Sequence, residues 1–304
     1  MTLAVLFPGQ AAQTAGWGRS WVDHPSWSVV ERAEAAAGRP LAHLLLTASA
    51  GELARTESSQ LSVLLASLVA WEAVRANLDE APVAYAGHSL GQITALIASG
   101  AVSFDEGVWL AVRRAEATQA AADRHHGVMA ALLGADLDQA AAACRAAEDQ
   151  CWLANDNAPG QVVIAGTEAG VAQASDAARQ LGVRKVLPLA VGGAFHTPLM
   201  ADAAAAMTAD FAAARYAEPA APVVSNGDGV AVSSGSWGER LTRHLVEPVR
   251  WRQCLLTLQD LGVTQALEVG PGALLAGMAK RTIPNVSVRS VGAPDDVQAL
   301  VPAR

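Results

Sequence analysis

The sequence predicts an α/β fold, a mostly parallel sheet covered by helices on both faces, with a small α+β unit inserted in it. Two observations carry this reading. Short apolar strands alternate with helices through most of the chain, the pattern of parallel crossover units. After Gly127 the rhythm changes to β-α-β-β-α-β, the ferredoxin-like plan. With 304 residues, 52% of them hydrophobic and 16% charged, the chain has enough apolar material for one large domain carrying an insert.

The elements follow in order. Leu3 to Phe7 reads as a buried strand that stops at the Pro8-Gly9 turn, and Gln60 to Arg75 as a helix. Ala81 to Ala86 is a short apolar strand running into Gly87-His88-Ser89-Leu90-Gly91, and Gln92 to Ala98 continues as helix. A long helix covers Asp105 to Ala122. In the insert, Val128 to Leu133, Cys151 to Asn155, Gln161 to Ala165 and Arg184 to Leu189 are strand-like. Asp136 to Glu148 and Glu168 to Leu181 are the helices between them. The borders fall so that 124–193 is the small domain, while 1–123 and 194–304 form the large one. Beyond it, helices over Pro198 to Ala214, Gly238 to Leu245, Trp251 to Leu261 and Leu274 to Arg281 alternate with strands at Pro222 to Ser225 and Thr264 to Val269.

Composition excludes several classes. A net charge of −8 with no basic stripe argues against nucleic acid, and an acidic partner would need a local basic patch. Cys144, Cys151 and Cys254 lack CxxC spacing and a histidine cluster, so neither a metal site nor a disulfide framework is expected. The run Met1 to Phe7 has no basic segment before it and does not read as a signal peptide. The most apolar helix, around Leu61 to Ala73, is interrupted by Glu72 and too short to span a bilayer. The expected setting is cytoplasmic, away from membranes.

Gly87-x-Ser89-x-Gly91 lies between a strand and a helix, the context a nucleophile elbow needs. Such a turn leaves no room for side chains at its flanks, exposes the serine oxygen, and aims a helix N-terminus at the developing oxyanion. A serine needs a base. Of the seven histidines, His24, His43, His125 and His126 sit in settings without a motif. His88 is inside the elbow and is expected to face away from Ser89. His196 follows Gly193-Ala194-Phe195 where the insert returns to the large domain, and loops at such junctions commonly carry function.

Several segments, in order, make a pattern: Phe7-Pro8-Gly9-Gln10, Gln60, the elbow, Arg114, Asn155-x-Asn157-x-Pro159-Gly160-Gln161, Gly193-Ala194-Phe195-His196, Pro248-Val249-x-Trp251 and Glu268-Val269-Gly270-Pro271-Gly272. Over nearly its whole length the chain resembles the malonyl-CoA:acyl carrier protein transacylases. The resemblance implies an α/β-hydrolase-like core with a ferredoxin-like insert. It implies Ser89 as nucleophile, His196 as base, and a backbone carbonyl near His244 orienting the imidazole in place of a carboxylate. Gln10 and Leu90 would supply oxyanion-hole amides. Arg114 would grip the malonyl carboxylate, with Gln60 and His88 also lining the substrate site. Phe195 would crowd the α-carbon and favour malonyl over branched units. No bound cofactor is implied: the CoA thioester is substrate, and the phosphopantetheine belongs to the acyl carrier protein. Arg184, Lys185, Lys280 and Arg281 are candidate docking residues for that carrier.

The sequence departs from the family's pattern at Ala11, Leu61, Gln92 and His244. These positions leave the acyl group open. A pathway-specific acyltransferase with an unusual acyl-carrier donor, an editing acyl-hydrolase with the same dyad, a malonate decarboxylase subunit and a non-catalytic carrier-binding subunit are the competing readings.

Overall fold

A computed structural model describes residues 2–235 and 237–300; Met1, at the head of the apolar N-terminal run, lies outside them. The strands in chain order are β1 (Leu3–Phe7), β2 (Ala84–Gly87), β3 (Val128–Leu133), β4 (Cys151–Ala158), β5 (Gln161–Gly166), β6 (Lys185–Pro188), β7 (Val223–Val224), β8 (Ala231–Val232), β9 (Gln265–Val269) and β10 (Ser287–Val291). They form a mixed α/β fold with two sheets. The larger runs β10-β9-β1-β2-β7-β8 and is parallel except for its last pair. The smaller runs β4-β5-β3-β6 and is antiparallel throughout.

Alternation along β1 explains the double covering of the large sheet. Val5 and Phe7 point into a core shared with the helices Thr56–Arg75, Gly91–Ala98 and Phe104–Arg124. Ala4 and Leu6 point to the opposite core, shared with Trp251, Leu255 and Leu275. Each large apolar side chain so buried contributes about 1.5–3 kcal/mol, so both faces hold the central strands in register. The smaller sheet packs one face on its own helices, Leu137–Arg145 and Glu168–Gln180. The other face, with Met129, Ala131 and Val163, looks toward Leu189, Val191 and Phe195.

Several elements differ from expectation. The elbow strand is Ala84–Gly87, displaced toward the turn. Pro198–Met200 is a 3-10 turn before the helix Ala201–Ala213, because Pro198 at the first position fits a turn entry. β4 runs on to Ala158, with register shifts at Leu153/Asn155 and Asp156/Ala158. The helix Ser28–Ala37 and strands β8 and β10 were not expected. β10 is a half-exposed edge strand, so Ser287 and Arg289 dilute its apolar signal.

The topology gathers the chemistry at one edge. The C-terminal ends of β1, β2, β7 and β9 lie side by side, and Phe7 pairs with Gly87, so the Gly9-Gln10 turn meets the serine turn. Ligands of parallel sheets bind at this edge. The smaller sheet is tied over it by a bridge between Asn155 and Val249 and by the Asp156–Arg252 ion pair at 2.9 Å. Among the described residues no helix is long and apolar enough to cross a membrane.

Candidate active site

The bend after β2 is dictated by its glycines. A Cβ on Gly87 would lie 1.8 Å from the Gly91 carbonyl oxygen, and one on Gly91 would lie 2.2 Å from that of Phe7. Between them Ser89 takes φ 52, a left-handed conformation that costs a non-glycine residue about 1–3 kcal/mol and persists only where the surroundings enforce it. The helix Gly91–Ala98 starts immediately behind, with its positive end toward the serine.

His196 reaches this serine from the far side of the chain. Its Nε2 lies 2.8 Å from Ser89 Oγ, and its Nδ1 lies 2.8 Å from the carbonyl oxygen of His244. A carbonyl only accepts, so Nδ1 carries the proton and Nε2 is left to accept from the serine hydroxyl. The carbonyl thus fixes the tautomer that a carboxylate fixes in a Ser-His-Asp triad. His196 is also left-handed, at φ 61, and the His244 ring lies against it with centroids 4.7 Å apart.

Burial keeps this base neutral. The His196 pKa falls to about 3, chiefly by desolvation and then by the positive charge of Arg114, against the opposing pull of the His244 carbonyl. Burial lowers the pKa of His88 and, most strongly, of His244. All three imidazoles accept protons more readily when the chain is unfolded. The contribution of these three neutral rings to stability is therefore full above about pH 6.5 and is lost as pH falls below it, toward about 3 for His196.

Arg114 lies in the helix Phe104–Arg124 and is only 6% exposed. Its Nη2 donates to Ser89 Oγ at 3.1 Å and its Nη1 to Gln60 Oε1. Gln60 is held by donating to Thr118 Oγ1 at 2.9 Å, and that hydroxyl donates to the Arg114 carbonyl at 2.8 Å. Among the described residues Arg114 has no acidic partner within 4.0 Å. Desolvation lowers its pKa to about 10, where it remains charged at neutral pH. A buried cation without a counter-ion is costly, so its presence beside a nucleophile points to an anionic ligand.

These groups line a cavity of about 270 Å³. Gln10, Leu90, Gln60, His88, Arg114 and Phe195 all face it. Neither the Gln10 nor the Leu90 amide donates to another described residue, which leaves both available to a ligand. Ala11, next to Gln10, adopts the left-handed φ of 82. His88 lines the same cavity, as the resemblance implies, with its ring against Trp251 and its Nε2 2.8 Å from Asn157 Oδ1. The cavity's apolar wall comes from both sheets' surroundings, with Met129, Val163, Leu189 and Met278 among its residues. Arg184, Lys185, Lys280 and Arg281 lie outside the cavity and are exposed; Arg281 donates to Gln161 Oε1 at the cavity wall. Among the described residues no cluster of three or more His, Cys, Asp or Glu could hold a metal.

Asn226 and Gln92 join the site although the sequence reading gave them no role. Asn226 Oδ1 accepts from the Ser89 amide at 2.8 Å, and Gln92 Oε1 accepts from the Asn226 amide at 2.7 Å. The signal was available: Ser225-Asn226-Gly227 is a polar turn ending a strand, at the edge where a parallel sheet binds ligands.

A serine hydrogen-bonded to an imidazole, facing two unpaired amides and a buried guanidinium, is the arrangement that acyl transfer through a serine ester requires. The chain belongs to the acyl transferase domain family, which it matches over residues 5–301. It is 35% identical over 303 residues to the malonyl CoA-acyl carrier protein transacylase of Escherichia coli K12, covering 97% of each chain. The acyl-carrier-protein S-malonyltransferase of Burkholderia pseudomallei superposes with a TM-score of 0.93 at 36% identity, covering 99% of both chains. A malonyl-transacylase solved in complex with its type II PKS acyl-carrier protein superposes at 0.94 with 32% identity, again over 99% of both.

Proposed function

We propose that this protein transfers a malonyl group from CoA to the phosphopantetheine thiol of an acyl carrier protein, for fatty acid or polyketide synthesis, through an ester on Ser89. The observation that carries the reading is Arg114, a buried guanidinium without a counter-ion that touches the Ser89 oxygen. Malonyl differs from acetyl by one carboxylate, and only a carboxylated acyl group would complete that charge. The relatives' names agree with this choice.

The steps follow from the tautomer. Ser89 gives its proton to His196 Nε2 while Oγ attacks the thioester carbonyl. The oxyanion takes hydrogen bonds from the Gln10 and Leu90 amides, each worth about 3 kcal/mol when preorganised. The intermediate collapses, the C–S bond breaks, and His196 returns the proton to the CoA sulfur. In the second half the carrier thiol gives its proton to His196, its sulfur attacks the ester, and Ser89 Oγ leaves and regains a proton. The dyad needs no bound cofactor. Phe195, beside the α-carbon, disfavours branched acyl units. The exposed Lys280 and Arg281, with Arg184 and Lys185, offer an acidic carrier its basic rim.

The same reading takes the large sheet as an α/β-hydrolase-like core, built from 1–123 and 194–304. It takes 124–193 as a ferredoxin-like domain, in keeping with its strand order β4-β5-β3-β6. A substrate pair of CoA thioester and carrier protein suits a cytoplasmic setting.

The decisive experiment follows the fate of the acyl-enzyme. Enzyme mixed with malonyl-CoA should gain the mass of one malonyl group on Ser89 and lose it rapidly to a holo acyl carrier protein but slowly to water. Discharge to water as fast as to the carrier thiol would make the protein a hydrolase. Because His196 is neutral far below ordinary imidazole values, kcat/KM for malonyl-CoA should stay flat from about pH 7 down to about pH 5. An acid limb centred near pH 6.5 would mean that the catalytic base titrates as an ordinary imidazole and that burial does not lower it in the working site.

A further inference from the structure

We infer that Asn226 is a positioning residue for acyl transfer: its carboxamide clamps the serine bend and, by engaging the Ser89 amide, restricts oxyanion binding to the amides of Gln10 and Leu90. The inference rests on the function proposed above and adds a residue to it.

Asn226 is fully buried just past β7, the strand paired with the elbow strand through Tyr85–Val223 and Ala86–Val224. Its side chain straddles His88. Oδ1 accepts from the Ser89 amide at 2.8 Å, and Nδ2 donates to the Gly87 carbonyl at 2.8 Å. The orientation is not ambiguous, because an amide N–H can only donate and a carbonyl can only accept. The residue is itself held on both sides. Its N–H donates to Gln92 Oε1 at 2.7 Å, and its carbonyl accepts from the Arg250 amide at 2.8 Å. One rigid carboxamide therefore joins the two ends of the three-residue bend Gly87-His88-Ser89, whose last residue is the left-handed serine.

Two consequences follow for the chemistry. A serine with φ 52 relaxes toward ordinary backbone unless something holds it, and relaxation would carry Oγ away from His196 Nε2, now at 2.8 Å. In chymotrypsin-type sites the nucleophile's own amide helps bind the oxyanion. Here that amide is spent on Asn226, so the donors must come from the next residue, Leu90, and from the facing Gln10 turn.

The test compares wild type with Asn226→Ala and Asn226→Asp in full-length enzyme, measuring Ser89 acylation by malonyl-CoA. Misplacing a nucleophile by about 1 Å costs on the order of 100-fold. Asn226→Ala should therefore lower kcat about 100-fold while KM for malonyl-CoA, set by Arg114 and the cavity, changes less than about threefold. In Asn226→Asp a protonated acid supplies the same acceptor and donor as the amide, so its rate should climb toward wild type as pH falls. Three groups surround the position: His88 in the elbow, Cys254 on the helix behind, and Asp228 paired with Arg240. Burial lowers His88 and pushes Cys254 up to about 12, and Asp228 is held below its usual range, so the climb would belong to residue 226. A folded alanine variant with wild-type kcat would overturn the inference. So would an aspartate variant whose rate does not rise on acidification, even where the alanine variant fails to fold. Wild type that never loads malonyl would overturn the proposed function and this inference with it.

Discussion

Ser89→Ala is expected to abolish the malonyl adduct and to lower CoA release from malonyl-CoA by about 10⁴-fold or more. In the proposed mechanism the hydroxyl oxygen is the atom that carries the acyl group, so its removal leaves nothing to take the malonyl. His196→Ala should fall by a comparable factor, because an unassisted hydroxyl is a poor nucleophile at neutral pH. The double variant should be little worse than either single one, since the pair, 2.8 Å apart, acts as a unit. Binding provides the control. Arg114 loses its contact with the serine hydroxyl but keeps its bond to Gln60, so Ser89→Ala should still bind malonyl-CoA with near wild-type affinity. The measurement pairs intact-mass analysis with calorimetric titration. An adduct that persists in Ser89→Ala would move the nucleophile elsewhere and dismantle the mechanism.

The elbow was legible in the sequence because its constraint is local. Two glycines that cannot carry a Cβ, after an apolar strand and before a helix, leave few alternatives. The helices with long apolar faces were legible for the same reason, as was the change of rhythm after Gly127. His196 was different. It lies 107 residues from Ser89, and the contact between them is made by the topology, so only the family pattern singled it out. Asn226 was missed because a buried asparagine at a strand end looks like any turn residue. Its value comes from β7 lying next to β2, which a parallel sheet with long crossovers does not announce. β10 and the early helix Ser28–Ala37 escaped because half-exposed elements carry mixed patterns.

Arg114→Ala should separate the choice of acyl group from the chemistry. Its guanidinium is buried, charged and, among the described residues, without an acidic partner, and truncating one member of a buried charge pair costs about 2–5 kcal/mol. The kcat/KM for malonyl-CoA should therefore fall by about 30- to 5,000-fold. Acetyl-CoA has no carboxylate to lose, and removing a desolvated cation lightens its binding, so its kcat/KM should hold or rise. Arg114→Lys should recover little, because a single ammonium nitrogen cannot span Gln60 and grip the carboxylate through two parallel N–H groups as the planar fork does. The pH profile supplies a second, independent readout. Arg114 is the second cause, after burial, of the low His196 pKa, so its loss should move the acid limb of kcat/KM upward toward the ordinary imidazole value. The expected variant is thus one that prefers acetyl over malonyl and weakens at mildly acidic pH. Retention of the malonyl preference would mean that the carboxylate is read by another group, and that the buried charge beside Ser89 serves the reaction only through the electrostatics of its base.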